Sequence, residues 1–178
     1  MLPLLIQAPR SPFFHPSQEA RVYRRISIQS ADFSLDQTLD RLKQHSGSPG
    51  GVCFFVGTVR DTNLDEQVSG LFLEHYPGMT EAQLARILDA AEQRWPLAGA
   101  EVVHRIGALQ PGDNIVLVAV AAAHRGEAFQ ACEMIMDYLK TQATFWKKEQ
   151  AASGDRWLDA RVSDQTKLTD WDAGGADF

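Results

Sequence analysis

Cysteine is scarce in this 178-residue chain: Cys53 and Cys132 stand alone in apolar runs. Neither has the CxxC or Cys/His spacing of a zinc site, and two cysteines make no disulfide framework. They read as core thiols in a reducing compartment. Long hydrophobic runs are missing too, since none approaches the ~20 residues of a membrane span. The opening LPLLI lacks the length and basic start of a signal segment and runs into the proline-broken APRSPFFHPS. A cytoplasmic protein without membrane contact is expected, with residues 1–20 as a flexible tail, 21–171 as a single domain and 172–178 as a frayed end. Positive charge is in short supply: net charge is −6 and only five lysines occur. Phosphate-backbone affinity needs accumulated Lys and Arg, so wholesale nucleic-acid binding is excluded and any anion site must be local. There is no glycine-rich phosphate loop, no GxSxG elbow and no paired-carboxylate spacing.

Against that background, three of the five lysines fall within Tyr138–Glu149, the stretch YLKTQATFWKKE. The elements around it are readable. VYRRISI suits an edge strand, and Ser34 with Gln37 gives a capping-box signature for a helix over 34–45. SGSPGG breaks the chain before VCFFVGTV, an apolar run suited to a buried strand over 52–59. DTNLDEQ supplies turn residues before the strand-like VSGLFLEHY. Thr80 and Gln83 repeat the capping-box spacing ahead of a helix near 80–95. AEVVHRI and NIVLVAVAAA read as strands joined by a Pro-Gly-Asp turn that includes Asp113. A third helix carries Ala128, Ala131, Cys132, Ile135 and Leu139 on one face, and RWLDARVSD suits a last strand. The order β-α-β-β-α-β-β-α-β has too few parallel crossovers for a doubly wound sheet, so an α+β fold with mixed sheets is expected.

The candidate chemistry is cationic. His124 and Arg125 sit where a buried strand gives way to a helix, beside exposed backbone N–H groups and the positive end of the dipole. A second His-Arg pair, His104-Arg105, shows how unspecific that dipeptide is alone. Lys140 and Lys147 are seven residues apart, which on a continuing helix places both on one face and turns Lys148 away. A solvated basic helix end is the alternative, although Phe145 and Trp146 suit a lined pocket. Arg60 closes the buried strand. With no nucleophilic Ser or Cys evident, such a set suits an anionic substrate whose attacking group comes from elsewhere. A metal site from His75, His104 and His124 lacks ligand spacing, and a non-catalytic module holding a protein tail or a phosphorylated ligand stays open.

The segments FVGTVRDTN, LEHYPGMTE, RWPL, VVHRIGALQPGD, AHRGEAFQAC, MDYLKTQATFWKKE and GDRWLDAR follow one another as in the large, catalytic subunit family of molybdopterin synthase, which the chain resembles over about residues 50–171. The resemblance implies an α/β hammerhead-type fold with an additional antiparallel β subdomain. It implies a homodimer joined by two small ubiquitin-like sulfur-carrier subunits into a heterotetramer. The carrier's C-terminal Gly-Gly thiocarboxylate would give sulfur to cyclic pyranopterin monophosphate, making the dithiolene of molybdopterin, with no cofactor and no metal. The family's pocket lysines fall on Lys140 and Lys147, and its anion-binding groups on Arg60, His124 and Arg125. Arg161 matches an arginine lent to the neighbouring subunit's pocket, and Phe55 and Met136 match pocket walls. One departure is Thr144, where the family commonly has proline.

Overall fold

The computed structural model describes residues 22–63, 66–151, 154–158 and 171. The expected tail, the frayed end, Arg161 and the latter part of RWLDARVSD lie outside them. Strand β1 (Tyr23–Gln29) leads into helix α1 (Leu35–His45), where Ser34 Oγ accepts the Gln37 N–H at 3.3 Å, as the capping signature predicts. Strand β2 (Gly51–Thr58) follows, then a hairpin of the short β3 (Thr62–Asn63) with β4 (Glu66–His75). Helix α2 (Met79–Arg94), β5 (Leu97–Arg105), the short β6 (Gly107–Leu109), β7 (Asn114–Ala122) and helix α3 (Arg125–Gln142) follow, so that up to α3 the expected order is kept with β3 and β6 added to it. Two strands close the described chain, β8 (Phe145–Ala151) and β9 (Gly154–Leu158).

The strands form two sheets. The first has the order β1-β5-β7-β2, with β1 parallel to β5 and the other pairs antiparallel. Leu117 to Ala122 on β7 are fully buried, so this strand is covered on both faces. On one face α1 lays Leu42 against Ala119 and Ala121. On the other, Leu84, Ile87 and Leu88 of α2 and Ala131, Cys132 and Ile135 of α3 pack over Val102, Val118 and Val120. The second sheet runs β3-β4-β8-β9, with β6 also paired to β4. It meets the first through a small cluster of Val59, Leu71, Leu73 and Leu109.

Two expectations are corrected. The cap of α2 is Gly78, not Thr80: Gly78 takes a left-handed φ of 81°, and its N–H donates to Glu81 Oε2 at 2.6 Å. Also, α3 does not continue to Lys147. It stops at Gln142, and the residues after Thr144 are strand. Pairing with β4 over Phe145–Ala151 gives these backbone groups partners across the strands in place of the intrahelical bonds of a longer helix.

One buried charge stabilises the α1 side. Glu101 is fully buried on β5, where Arg41 of α1 donates Nε at 3.0 Å and Nη2 at 2.9 Å, the Tyr23 hydroxyl donates at 3.1 Å, and Arg25 stands 3.5 Å away. Burial and the Glu101 carboxylate together raise the Tyr23 pKa. Removing one partner of such a group leaves a buried charge under-compensated. Arg41→Ala is therefore expected to lower the unfolding free energy by about 2–3 kcal/mol, the remaining Arg25 and Tyr23 keeping the loss below that of an isolated pair. Urea unfolding measures this, and an unchanged midpoint would contradict the account.

Candidate functional site

Helix α3 returns along the strand that precedes it, and this sets where the cationic residues lie. Cys132 Sγ sits 3.8 Å from the Val118 carbonyl oxygen, midway along β7. From His124 to Lys140 the helix rises about 24 Å, and from Ala122 back to Ile115 the strand spans about 23 Å. Lys140 thus comes level with the start of β7 and the end of β2, where Asn114 pairs with Thr58. Arg60 is at that same end. It follows Val59, whose N–H donates to the Asp113 carbonyl and whose carbonyl accepts from Gly112, both at 2.9 Å. The Pro-Gly-Asp turn thereby fixes the backbone just before the exposed guanidinium.

Phe55 and Met136 belong to the same face. Phe55 is 39% exposed on β2, and its ring lies 3.4 Å from where a Cβ on Gly57 would stand. A Cβ there would meet Val116 Cγ1 closer still, at 2.8 Å, so Gly57 makes room for that side chain of β7. Met136 is buried on α3 one turn beyond Cys132 and one turn before Lys140. The exposed Lys140 ammonium lies in the last turn of α3, where the helix dipole favours a cation.

His124 and Arg125 are elsewhere. His124 is the N-cap of α3, its N–H donating to Glu127 Oε2 at 3.3 Å, and Arg125 opens the helix against Gly51 at the start of β2. Both are exposed. Within one protomer the length of β2, roughly 23 Å, separates them from Arg60, so the fold does not gather all the predicted anion-binding groups into one pocket.

Lys147 stands on β8 directly across from the buried Leu73, on the strand face it shares with Phe145 and the buried Glu149. Lys148 points the other way, opposite Phe72 and Trp157 on neighbouring strands, with Trp146 beside it. The two aromatics next to the lysines therefore part company: Phe145 goes inward and Trp146 is 44% exposed.

Three residues were missed as part of this end of the molecule. His104 is 2% exposed and stacks on Phe145, ring centroids 3.6 Å apart, while its Nδ1 meets the Arg105 carbonyl oxygen at 2.8 Å. Burial pushes its pKa down to about 3; the bond to Arg105 opposes the fall, and the charges of Lys147 and His75 add to it. The available signal was parity, since His104 falls two residues after Val102 on the same strand face. Thr80 and Gln83, read as a cap, instead bond Thr144. Among the described residues no group of His, Cys, Asp and Glu is arranged to hold a metal ion, and no helix is long and apolar enough to cross a membrane. A cavity of about 260 Å³ opens on the α1 side, lined by Arg25, Gln29, Gln37 and Arg41. Arg41 there is engaged with Glu101, and the site residues lie across the sheet from it.

The family model described as MoaE protein matches residues 28–142. The chain belongs to the MoaE family. It is 58% identical over 146 residues to the molybdopterin synthase catalytic subunit of Ralstonia nicotianae, covering 82% of this chain and 83% of that one. The solved structure of the molybdopterin biosynthesis MoaE protein from Burkholderia ambifaria matches with a TM-score of 0.73 at 48% identity, over 83% of this chain and 97% of that one. This agrees with the mixed α+β fold class expected from sequence. A complex of subunits 1 and 2 of molybdopterin-converting factor from Helicobacter pylori shares the fold at 18% identity, with a TM-score of 0.61 over 78% of this chain and 91% of that one.

The neutral His104 has a consequence for stability. Unfolded, the ring titrates near its ordinary value of 6.5; folded, near 3. Between these values the unfolded chain binds the extra proton, so this contribution to stability is present above pH 6.5 and is lost as pH falls toward 3. Urea midpoints are expected to drop across that window, and to drop less steeply in His104→Gln. Equal slopes for the two proteins would show that the ring is not held neutral.

Proposed function

We propose that this chain is the catalytic subunit of a molybdopterin synthase, a sulfurtransferase of molybdenum cofactor biosynthesis. In this reading a small ubiquitin-like subunit brings a C-terminal Gly-Gly thiocarboxylate, and cyclic pyranopterin monophosphate receives its sulfur. The observation that carries it is the joint placement of Lys140, Arg60, Phe55 and Met136 at the end of the sheet where α3 turns into β8. Membership of the MoaE family and the close catalytic-subunit relative supply the reaction class.

The chemistry asks for this kind of site. A thiocarboxylate and a cyclic phosphate are both anions, and bringing them together in a partly dehydrated space needs local positive charge. Arg60 presents a fork of donors suited to phosphate oxygens. The thiocarboxylate sulfur attacks a side-chain carbon of the pterin, Lys140 gives a proton to the departing oxygen, and water then releases the carrier's carboxylate. Lys147 orients the carrier terminus or the substrate. His124 and Arg125 reach the same substrate only from a second copy of the chain. That requirement supports a homodimer, with Arg161 as a further contribution across the subunits.

Assembly with partners has a surface to use. Phe72, Trp146 and Trp157 are all well exposed on the outer face of the second sheet, around Lys148. Clustered exposed aromatics mark contact surfaces more often than isolated ones do. The Helicobacter pylori neighbour, itself a two-subunit complex, is compatible with a heterotetramer here.

The test mixes the protein with thiocarboxylated small subunit and the pterin precursor and follows molybdopterin by mass spectrometry. General acid catalysis contributes on the order of 10²–10⁴-fold, so Lys140→Ala is expected to cut the rate by at least about 100-fold. Light scattering should show the complex still assembled. Near-normal turnover by that variant would remove Lys140 from the mechanism, and no product from the unaltered protein would overturn the enzymatic reading.

A further inference from the structure

The reversal between the two lysines is held from outside. Lys140 lies three residues before Ala143, and Lys147 three after Thr144. Ala143 caps α3 with φ −76° and ψ 129°, an extended conformation, and its N–H still reaches the Leu139 carbonyl at 3.3 Å. At Thr144 every polar group is bonded to α2. Its N–H donates to Gln83 Oε1 at 3.0 Å, its hydroxyl to the same oxygen at 2.6 Å, and its carbonyl accepts from the Thr80 hydroxyl at 3.2 Å. Thr80 is fully buried; its hydroxyl oxygen accepts the Tyr76 N–H at 3.1 Å, and its single proton is shared between the Thr144 carbonyl and the Tyr76 carbonyl, the latter at 3.1 Å.

These contacts do more than satisfy polar atoms. Nothing in residues 139–149 breaks a helix by itself, since no glycine or proline occurs there. The acceptor on Gln83 gives the Thr144 N–H a partner outside the helix, which allows the chain to leave the helical path two residues after Gln142 and enter β8. Whether Lys147 emerges on the inner face of a strand or winds onward around a helix is decided at this point. A one-residue shift in the start of β8 would exchange Lys147 for Lys148 on the inner face.

We propose that Gln83, supported by Thr80, is a positioning residue for the sulfur-transfer lysines, holding Thr144 so that Lys140 ends a helix and Lys147 faces inward from a strand. The proposal rests on the reading that these lysines serve the transfer. It concerns reach and orientation and places neither α2 residue against the substrate.

Proline at 144 offers a test by substitution. A proline needs no acceptor for an N–H and fixes its own φ, and the residue before it must be extended, as Ala143 already is. Gln83→Leu keeps the side-chain bulk and removes the acceptor. A misplacement of about 1 Å can cost on the order of 10²-fold in rate, so this variant is expected to lose roughly tenfold to a hundredfold in kcat at a temperature where it is fully folded. Adding Thr144→Pro in the Gln83→Leu background is expected to restore the rate to within about threefold of the unaltered protein, which a general loss of stability would not allow. Hydrogen exchange over residues 140–147 should quicken in Gln83→Leu and slow again in the double variant, a readout independent of turnover.

Undiminished turnover in Gln83→Leu, unchanged exchange in that segment, or a folded double variant as slow as the single one would each overturn the proposal. Lys140→Ala and Lys147→Ala are assayed alongside. If both keep full turnover, the assignment of the lysines fails; if they lose it while Gln83→Leu does not, only the positioning role fails.

Discussion

Strand β7 carries no polar side chain from Ile115 to Ala122, so neither of its faces can be left to water, and the helices that cover them fix what happens at the ends of the sheet. One face takes α1, the other α2 and α3. Because α3 follows β7 directly, it can cover the sheet only by running back along it. That single requirement places its N-terminus, with His124 and Arg125, at one end and its C-terminus, with Lys140, at the other. A pocket made from both sets needs more than one copy of the chain, and this follows from burial before any question of substrate arises.

The second sheet determines the rest. Val59, Leu71, Leu73 and Leu109 dock it on the first, and the stack of Phe145 on His104 ties the start of β8 to the end of β5. With that ring fixed, alternation does the sorting: Phe145, Lys147 and Glu149 turn inward, while Trp146, Lys148 and Gln150 turn outward. A neutral imidazole suits the position. A charged one would face the repulsion of Lys147 and His75 in a poorly solvated place, and burial already disfavours it.

Much of this was legible in the sequence wherever one period held over a long segment. The apolar run of β7 placed its strand within a residue, and the helical spacing of Ala128, Ala131, Cys132, Ile135 and Leu139 located α3 but not its end. Strand β8 was not legible, because FWKKEQA is mostly polar and continues from a helix without a breaking residue. Its pairing with β4 and the hydrogen bond from Thr144 to a side chain sixty-one positions away are contacts that no local pattern contains. The same hydrogen bond explains the misplaced cap of α2: Thr80 and Gln83 have capping-box spacing, but their polar atoms are directed to Thr144, and Gly78 with Glu81 does the capping. The cationic candidates Arg60 and Lys140 were recognisable as types. Their separation from His124 and Arg125 was not, since it depends on the direction in which α3 crosses the sheet.

Charge adds a last constraint. With a net charge of −6, the field of the whole chain repels anions at a distance, and screening over about 8 Å at physiological salt confines attraction to the immediate surroundings of each lysine and arginine. Long-range steering is therefore weak for the thiocarboxylate that the proposed reading brings to this end of the domain. A docking surface can bring it there, because contact between folded surfaces fixes a flexible terminus at high local concentration whatever the long-range field. The exposed Phe72, Trp146 and Trp157 lie on the sheet whose inner face carries Lys147. In the proposed reading, the exposed aromatics of β4, β8 and β9 and the Lys147 side chain on β8 lie on opposite faces of one sheet, so a partner held on one side or wrapped around the edge needs only its last residues to reach the other.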